Sequence, residues 1–196
     1  MTSVRIRGSI QRGRQKARKM SYDVGIVGAT GAVGIEIIDC LKRISFPLGK
    51  LRLFASKRSA GKTIETHFGP VEIEEFTVEA SRSCYFVFLA VSGDFALENA
   101  KKISENNGPY VIDNSSAFRY MDEIPLVVPE INASAIGDAR LIANPNCTTA
   151  IAAVVLWPIH QKYTIKKLIM STYQASSGAG AEVSLWDEDH KCMCTY

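Results

Sequence analysis

Cys147 lies in Asn144-Pro145-Asn146-Cys147-Thr148-Thr149, between the apolar run 141–143 and an apolar stretch, 150–161, of helical length. A thiol at the start of a helix is shifted toward thiolate by the partial positive charge there, and thiolate is the nucleophile. Burial as a small core residue is the commoner fate of a free cysteine, but the polar, turn-forming neighbours of Cys147 favour reactivity. Cys40, inside the first helical stretch, and Cys84, at the head of an apolar strand, read as packing. Five cysteines in a chain of 196 residues without a secretory signal do not make a disulfide framework.

Gly28, Gly31 and Gly34 recur at every third position in GATGAVG, after the apolar strand DVGIV. Backbone without Cβ atoms turns tightly there and approaches a diphosphate, which the open N–H groups of the following helix favour. The second strand, KLRLFAS, runs into Ser56-Lys57-Arg58-Ser59. A site for the unphosphorylated dinucleotide usually carries an acid at that position, whereas a 2′-phosphate calls for cations and hydroxyls. Arg58 offers a fork to phosphate oxygens, and Ser59 a hydroxyl and a backbone N–H, so the sequence favours NADP over NAD. A solvated turn is the plain alternative for Lys57 and Arg58.

A thiolate beside a nicotinamide site suits carbonyl chemistry at the aldehyde or acyl level, through a thiohemiacetal or thioester. In Asn114-Ser-Ser-Ala-Phe-Arg119, Asn114 and Ser115 have hydrogen-bonding groups and Arg119 has a bidentate clamp for phosphate. A surface salt bridge from Arg119 to Asp122 or Glu123 is its other reading.

Around these residues the chain alternates strands and helices. Strands are expected near 22–27, 50–56, 84–91, 110–113, 126–129 and 141–144, and helices near 32–44, 95–106 and 150–161, with a polar, hairpin-like stretch over 67–76. That order implies an α/β fold, a doubly wound parallel sheet. A strand over 167–173 is expected to open a new unit. With 46% hydrophobic and 22% charged residues the composition is that of a globular protein, and no apolar run reaches the length of a membrane span. The first twenty residues hold seven basic side chains and no acid, leaving 16 basic against 20 acidic residues in the rest. The net charge of +3 therefore belongs to a leader and is not a nucleic-acid footprint. The leader reads as a solvated basic tail or an organellar, plastid-type targeting segment, which leaves a cytoplasmic or organellar location and excludes secretion.

Taken together, GATGAVG, SKRSAGK, DNSSAFR, VPEIN, NPNCTT and STYQASSGAG, in this order, resemble the aspartate-semialdehyde dehydrogenase family, over residues 22 to about 181. The resemblance implies a Rossmann-like domain over 21–147; the basic leader over 1–20 lies outside it and is expected to be disordered. It implies the start of an α+β catalytic and dimerisation domain over 148–181, followed by a divergent tail over 182–196. The implied activity is NADPH-dependent reductive dephosphorylation of L-aspartyl 4-phosphate to L-aspartate 4-semialdehyde, on the route to lysine, threonine and methionine. The implied partners are a small acyl-phosphate substrate and inorganic phosphate, not nucleic acid or membrane.

Carried over motif by motif, Thr30, Gly31, Ala32 and Val33 hold the diphosphate, and Arg58 with Ser59 the 2′-phosphate. Arg119 binds the substrate phosphate beside Asn114, Cys147 forms the acyl thioester, and Gln174 orients the substrate. Ser177 and Gly178 touch the cofactor near the nicotinamide. Members of the family continue into a domain that supplies a histidine acid/base, an arginine for the substrate carboxylate and a lysine for phosphate. His67, His160 and His190 match none of those motifs, so the base is assigned to none. The family is homo-oligomeric, a property the resemblance does not carry to so short a chain. The alternative is an inactive NADP-binding chain that only associates with a full-length partner. No metal site is expected, since His190, Cys192 and Cys194 lack the usual ligand spacing.

Overall fold

The structure is a computed structural model and describes residues 20–173. Its elements run β1 (Tyr22–Val27), α1 (Ala32–Arg43), β2 (Leu48–Ala55), β3 (Thr63–Thr66), β4 (Gly69–Glu75), α2 (Val78–Ser81), β5 (Phe86–Leu89), α3 (Gly93–Ser104), β6 (Tyr110–Asp113), α4 (Pro129–Asn132), a 3₁₀ turn (Ala133–Ile136), β7 (Leu141–Ala143) and α5 (Cys147–Tyr163).

Seven strands form one sheet in the order β3-β4-β2-β1-β5-β6-β7. Only β3 runs antiparallel, paired to β4. The six parallel strands stand in the spatial order 3-2-1-4-5-6, the doubly wound arrangement in which the winding reverses between β1 and β5.

Strand alternation divides the core between the two faces. Val24, Ile26, Leu51, Leu53 and Ile73 join one cluster, which the buried stripe Ile38 and Leu41 of α1 covers. Val27, Phe54, Val87, Leu89 and Val111 join the other, covered by Ala96, Ala100 and Ile103 of α3 and by Phe118. Each fully buried aliphatic side chain contributes about 1.5–3 kcal/mol of transfer free energy, so the two helices are held by these contacts more than by their own propensity.

Four expectations need correction. The stretch over 67–76 is not a surface hairpin alone, because β4 also pairs in parallel with β2 through Leu53 and Ile73. Residues 167–173 form no strand, and no strand among the described residues pairs with them. Over 126–129 the chain makes only a single bridge, Leu126 to Ala143. Cys84 packs as expected, but Cys40 is exposed, because the 3.6-residue period that buries Ile38 and Leu41 turns position 40 outward.

The apolar helix α5 has no buried residue, and Ile151, Val155 and Tyr163 are 70%, 65% and 69% exposed. Leu168, Ile169 and Met170 are exposed as well. No helix among the described residues is long and apolar enough to cross a membrane.

Candidate functional site

Parallel strands deliver their C-terminal ends to one edge of the sheet, so the loops after β1, β2, β6 and β7 share that edge. These four loops and the first residues of the helices α1 and α5 that follow two of them hold every sequence-predicted site residue that lies among the described residues. At the roughly 4.8 Å spacing of neighbouring strands, the loop after β7 stands about 14 Å along the edge from the loop after β1.

The loop after β1 is built by glycines with different duties. Gly28 has φ +83°, and a Cβ there would fall 2.1 Å from the Ala90 carbonyl oxygen. Gly34 packs against the same turn, and its Cβ would fall 2.5 Å from the Gly28 oxygen. At Gly31 a Cβ would meet only that oxygen, at 3.4 Å. The fold therefore needs Gly28 and Gly34, while the face of Gly31 is open. Gly31 caps α1 without a side-chain hydrogen bond, and the first turn carries no acid. The backbone ladder starts with Ile35 donating to the Gly31 carbonyl, so the N–H groups of Ala32, Val33 and Gly34 lie ahead of it. An uncapped, acid-free helix start beside an open glycine face suits a phosphate. Thr30 is exposed beside it, and Val33 is half-buried.

After β2, Ser56 to Ser59 form a turn in which the Ser59 N–H donates to the Ser56 carbonyl at 2.8 Å. That N–H closes the turn and is spent, a correction to its expected place in a phosphate contact. The Ser59 hydroxyl and the exposed Arg58 guanidinium are the groups left to a ligand, and among the described residues Arg58 and Lys57 have no ion pair.

After β6 the Asp113 carboxylate is fully buried and accepts from the Ser115 hydroxyl at 2.7 Å and the Ser115 N–H at 3.2 Å. Burial pushes its pKa up, while the Ser115 hydrogen bonds and the Arg119 charge pull the other way. Arg119 makes no salt bridge to Asp122 or Glu123. Its Nε donates to the Asn144 carbonyl and its Nη2 to the Asn114 carbonyl, each at 3.0 Å. The rest of the fork remains to hold an anion.

Cys147 opens α5, as the sequence implied, with Asn146 as N-cap. The Asn146 side-chain oxygen accepts from the Thr148 N–H at 3.0 Å and from its hydroxyl at 2.6 Å. Cys147 is exposed, and its Sγ lies 3.9 Å from that same oxygen. His160 sits thirteen residues further along α5, about 20 Å up the axis at 1.5 Å per residue, stacked on Trp157. His67 pairs with Asp39 of α1 at 3.3 Å. Gln174, Ser177, Gly178, His190, Cys192 and Cys194 lie outside the described residues.

The sequence missed Asn144, whose side-chain amide donates to the Asn114 side-chain oxygen at 2.8 Å. The pattern NPNC drew attention to the thiol, and nothing local marks a bond to a residue thirty positions away.

The family model for the semialdehyde dehydrogenase NAD-binding domain matches residues 23–139, well over half of the chain. The chain belongs to the semialdehyde dehydrogenase family. Within it, the chain is 45% identical over 159 residues to the aspartate-semialdehyde dehydrogenase of Synechocystis, covering 81% of this chain and 47% of that protein. Among solved structures it is similar to aspartate semialdehyde dehydrogenase II of Vibrio cholerae, at 36% identity and a TM-score of 0.72. That match covers 82% of this chain and 49% of the other. The same Vibrio enzyme complexed with ASA matches at 37% identity and a TM-score of 0.66, over 72% of this chain and 47% of that one. The chain spans about half the length of the semialdehyde dehydrogenases it matches.

Proposed function

We propose that this chain binds NADPH along the C-terminal edge of the sheet and uses Cys147 in the reductive dephosphorylation of L-aspartyl 4-phosphate to L-aspartate 4-semialdehyde. The observation that carries the reading is the convergence of the Gly31 face, the Arg58 turn, the Arg119 fork and the Cys147 helix start on one edge. The aspartate-semialdehyde dehydrogenases at 36–45% identity support the substrate.

In this reading Ala32 and Val33 present N–H groups to the diphosphate against the open face of Gly31, whose own N–H closes the turn onto the Gly28 carbonyl at 3.1 Å, with Gly28 shaping the turn and Thr30 beside it. Arg58 and the Ser59 hydroxyl take the 2′-phosphate. When bound, the cofactor supplies the hydride for the acyl carbon. Arg119 holds the substrate phosphate, with Asn114 beside it. The Cys147 sulfur attacks the acyl carbon, and inorganic phosphate leaves as the thioester forms. Reduction of the thioester carbon then releases aldehyde and thiolate. Gln174, for the substrate, and Ser177 and Gly178, for the cofactor, keep the roles that the resemblance implies and lie outside the described residues. The product feeds the synthesis of lysine, threonine and methionine.

The test is NADPH-dependent turnover of aspartyl phosphate by the 196-residue chain, and the phosphate-dependent reverse reaction with the semialdehyde. Turnover that disappears in Cys147→Ser supports the reading. NADPH binding without turnover would favour a second one, a cofactor-binding chain that acts through a partner. Its support is that His160 is out of the thiol's reach and that the apolar side chains of α5 are exposed.

A further inference from the structure

Asn144 makes three hydrogen bonds to the end of β6 and the loop that follows it. Its N–H donates to the Asp113 carbonyl at 2.8 Å, and its carbonyl accepts from Arg119 Nε at 3.0 Å. Its side-chain amide donates to Asn114 Oδ1 at 2.8 Å. Asn114 is anchored in turn, its N–H donating to the Leu89 carbonyl at 3.1 Å and its own carbonyl accepting from Arg119 Nη2. Between this clamp and Cys147 stand only Pro145, which is buried and has its φ fixed by its ring, and the helix cap Asn146. The residue before a proline is itself confined to extended conformations, so the clamp on Asn144 reaches the helix start through a stiff arm.

We propose that Asn144 is a positioning residue: by tying the end of β7 to the Asn114–Arg119 loop, it sets where the start of α5 holds the Cys147 sulfur. This rests on the reading of Cys147 as the nucleophile. The clamp also makes Arg119 a shared element. Two of its five N–H donors hold the clamp, which leaves three for an anion. A phosphate held there stiffens the same loop that fixes the thiol, and by linkage a correctly placed thiol arm favours phosphate binding.

The experiment is the rate of iodoacetamide alkylation of Cys147 against pH, in the full chain with Cys40, Cys192 and Cys194 changed to Ser. Asn144→Ala and Asn114→Ala break the amide bond from opposite ends, and the second leaves every backbone bond of Asn144 intact. Each is expected to slow alkylation at pH 7 roughly two- to fivefold, with the high-pH plateau unchanged. The double variant is expected to match either single one. Simple loosening of the loop would raise the plateau, and that result overturns the proposal. So does an unchanged profile in both single variants, while leaving the nucleophile reading intact. A parent thiol that iodoacetamide alkylates at pH 7 no faster than free cysteine overturns both.

Discussion

Gly34 packs under Gly28 so closely that a Cβ at position 34 would stand 2.5 Å from the Gly28 carbonyl oxygen. Gly31, between them, has an ordinary φ of −80° and an open face. Three glycines that look equivalent in sequence therefore split into two that the fold requires and one that it does not.

Alanine substitution should separate the two duties. Gly28→Ala forces both a left-handed conformation and a backbone clash, and is expected to cost about 3 kcal/mol or more of stability. Gly31→Ala should shift stability by less than about 1 kcal/mol and still weaken NADPH binding at least tenfold. Denaturant midpoints and fluorescence titration with NADPH measure the two. Full NADPH affinity in Gly31→Ala would end the assignment of that face to the diphosphate.

Arg58 supplies the cation at the end of β2 that reads the 2′-phosphate in the proposed site. Its replacement by Ala removes charged hydrogen bonds of about 1.5–3 kcal/mol, so NADPH affinity should fall about ten- to hundredfold. NADH affinity should barely change. Equal losses for the two cofactors would refute the discrimination.

Asp113 and Glu74 should give pH effects of opposite sign. Burial raises the Asp113 pKa in the folded state, so its contribution is fully present below the unfolded value near 3.9 and is lost as pH rises through the folded value. Glu74 accepts from Arg52 Nε at 2.8 Å, and that hydrogen bond holds its pKa down. Its contribution is present above the unfolded value near 4.3 and fades as pH falls through the folded one. Urea midpoints at pH 4 and pH 7 should show Asp113→Asn gaining on the parent as pH rises, and Glu74→Gln losing. A gap from the parent that is the same at both pH values would contradict the Asp113 argument.

Ile151 and Val155, four residues apart on α5, present an apolar strip to solvent. Changing both to Lys should move stability by no more than about 0.5 kcal/mol and reduce self-association in sedimentation velocity. A large loss of stability would show that these side chains are covered.

Much of the sheet was legible because its strands are apolar runs of the right length. β6 falls on 110–113 as expected, and the glycine turn and the cysteine loop sit where a parallel sheet must put them. β4 was harder, since in GPVEIEE only Val71 and Ile73 mark a strand, and its partner Leu53 is set by winding rather than by neighbours. Ser59 shows another limit, because composition offered its N–H to a ligand that turn geometry had already replaced with Ser56. The Asn144 clamp was invisible because two of its three bonds use backbone atoms, which look alike in every sequence.

Both margins of the sheet are finished with very short strands. β3 is four residues long and β7 three, and the outer side of β7 is already taken, with Ala143 donating to the Pro125 carbonyl and the Val127 N–H donating to Ala143. Neither margin offers the long, bare ladder on which a second chain could be templated. Clustering of this protein would then proceed through side chains of α5, giving amorphous assemblies that mild detergent disperses rather than cross-β fibrils that bind thioflavin.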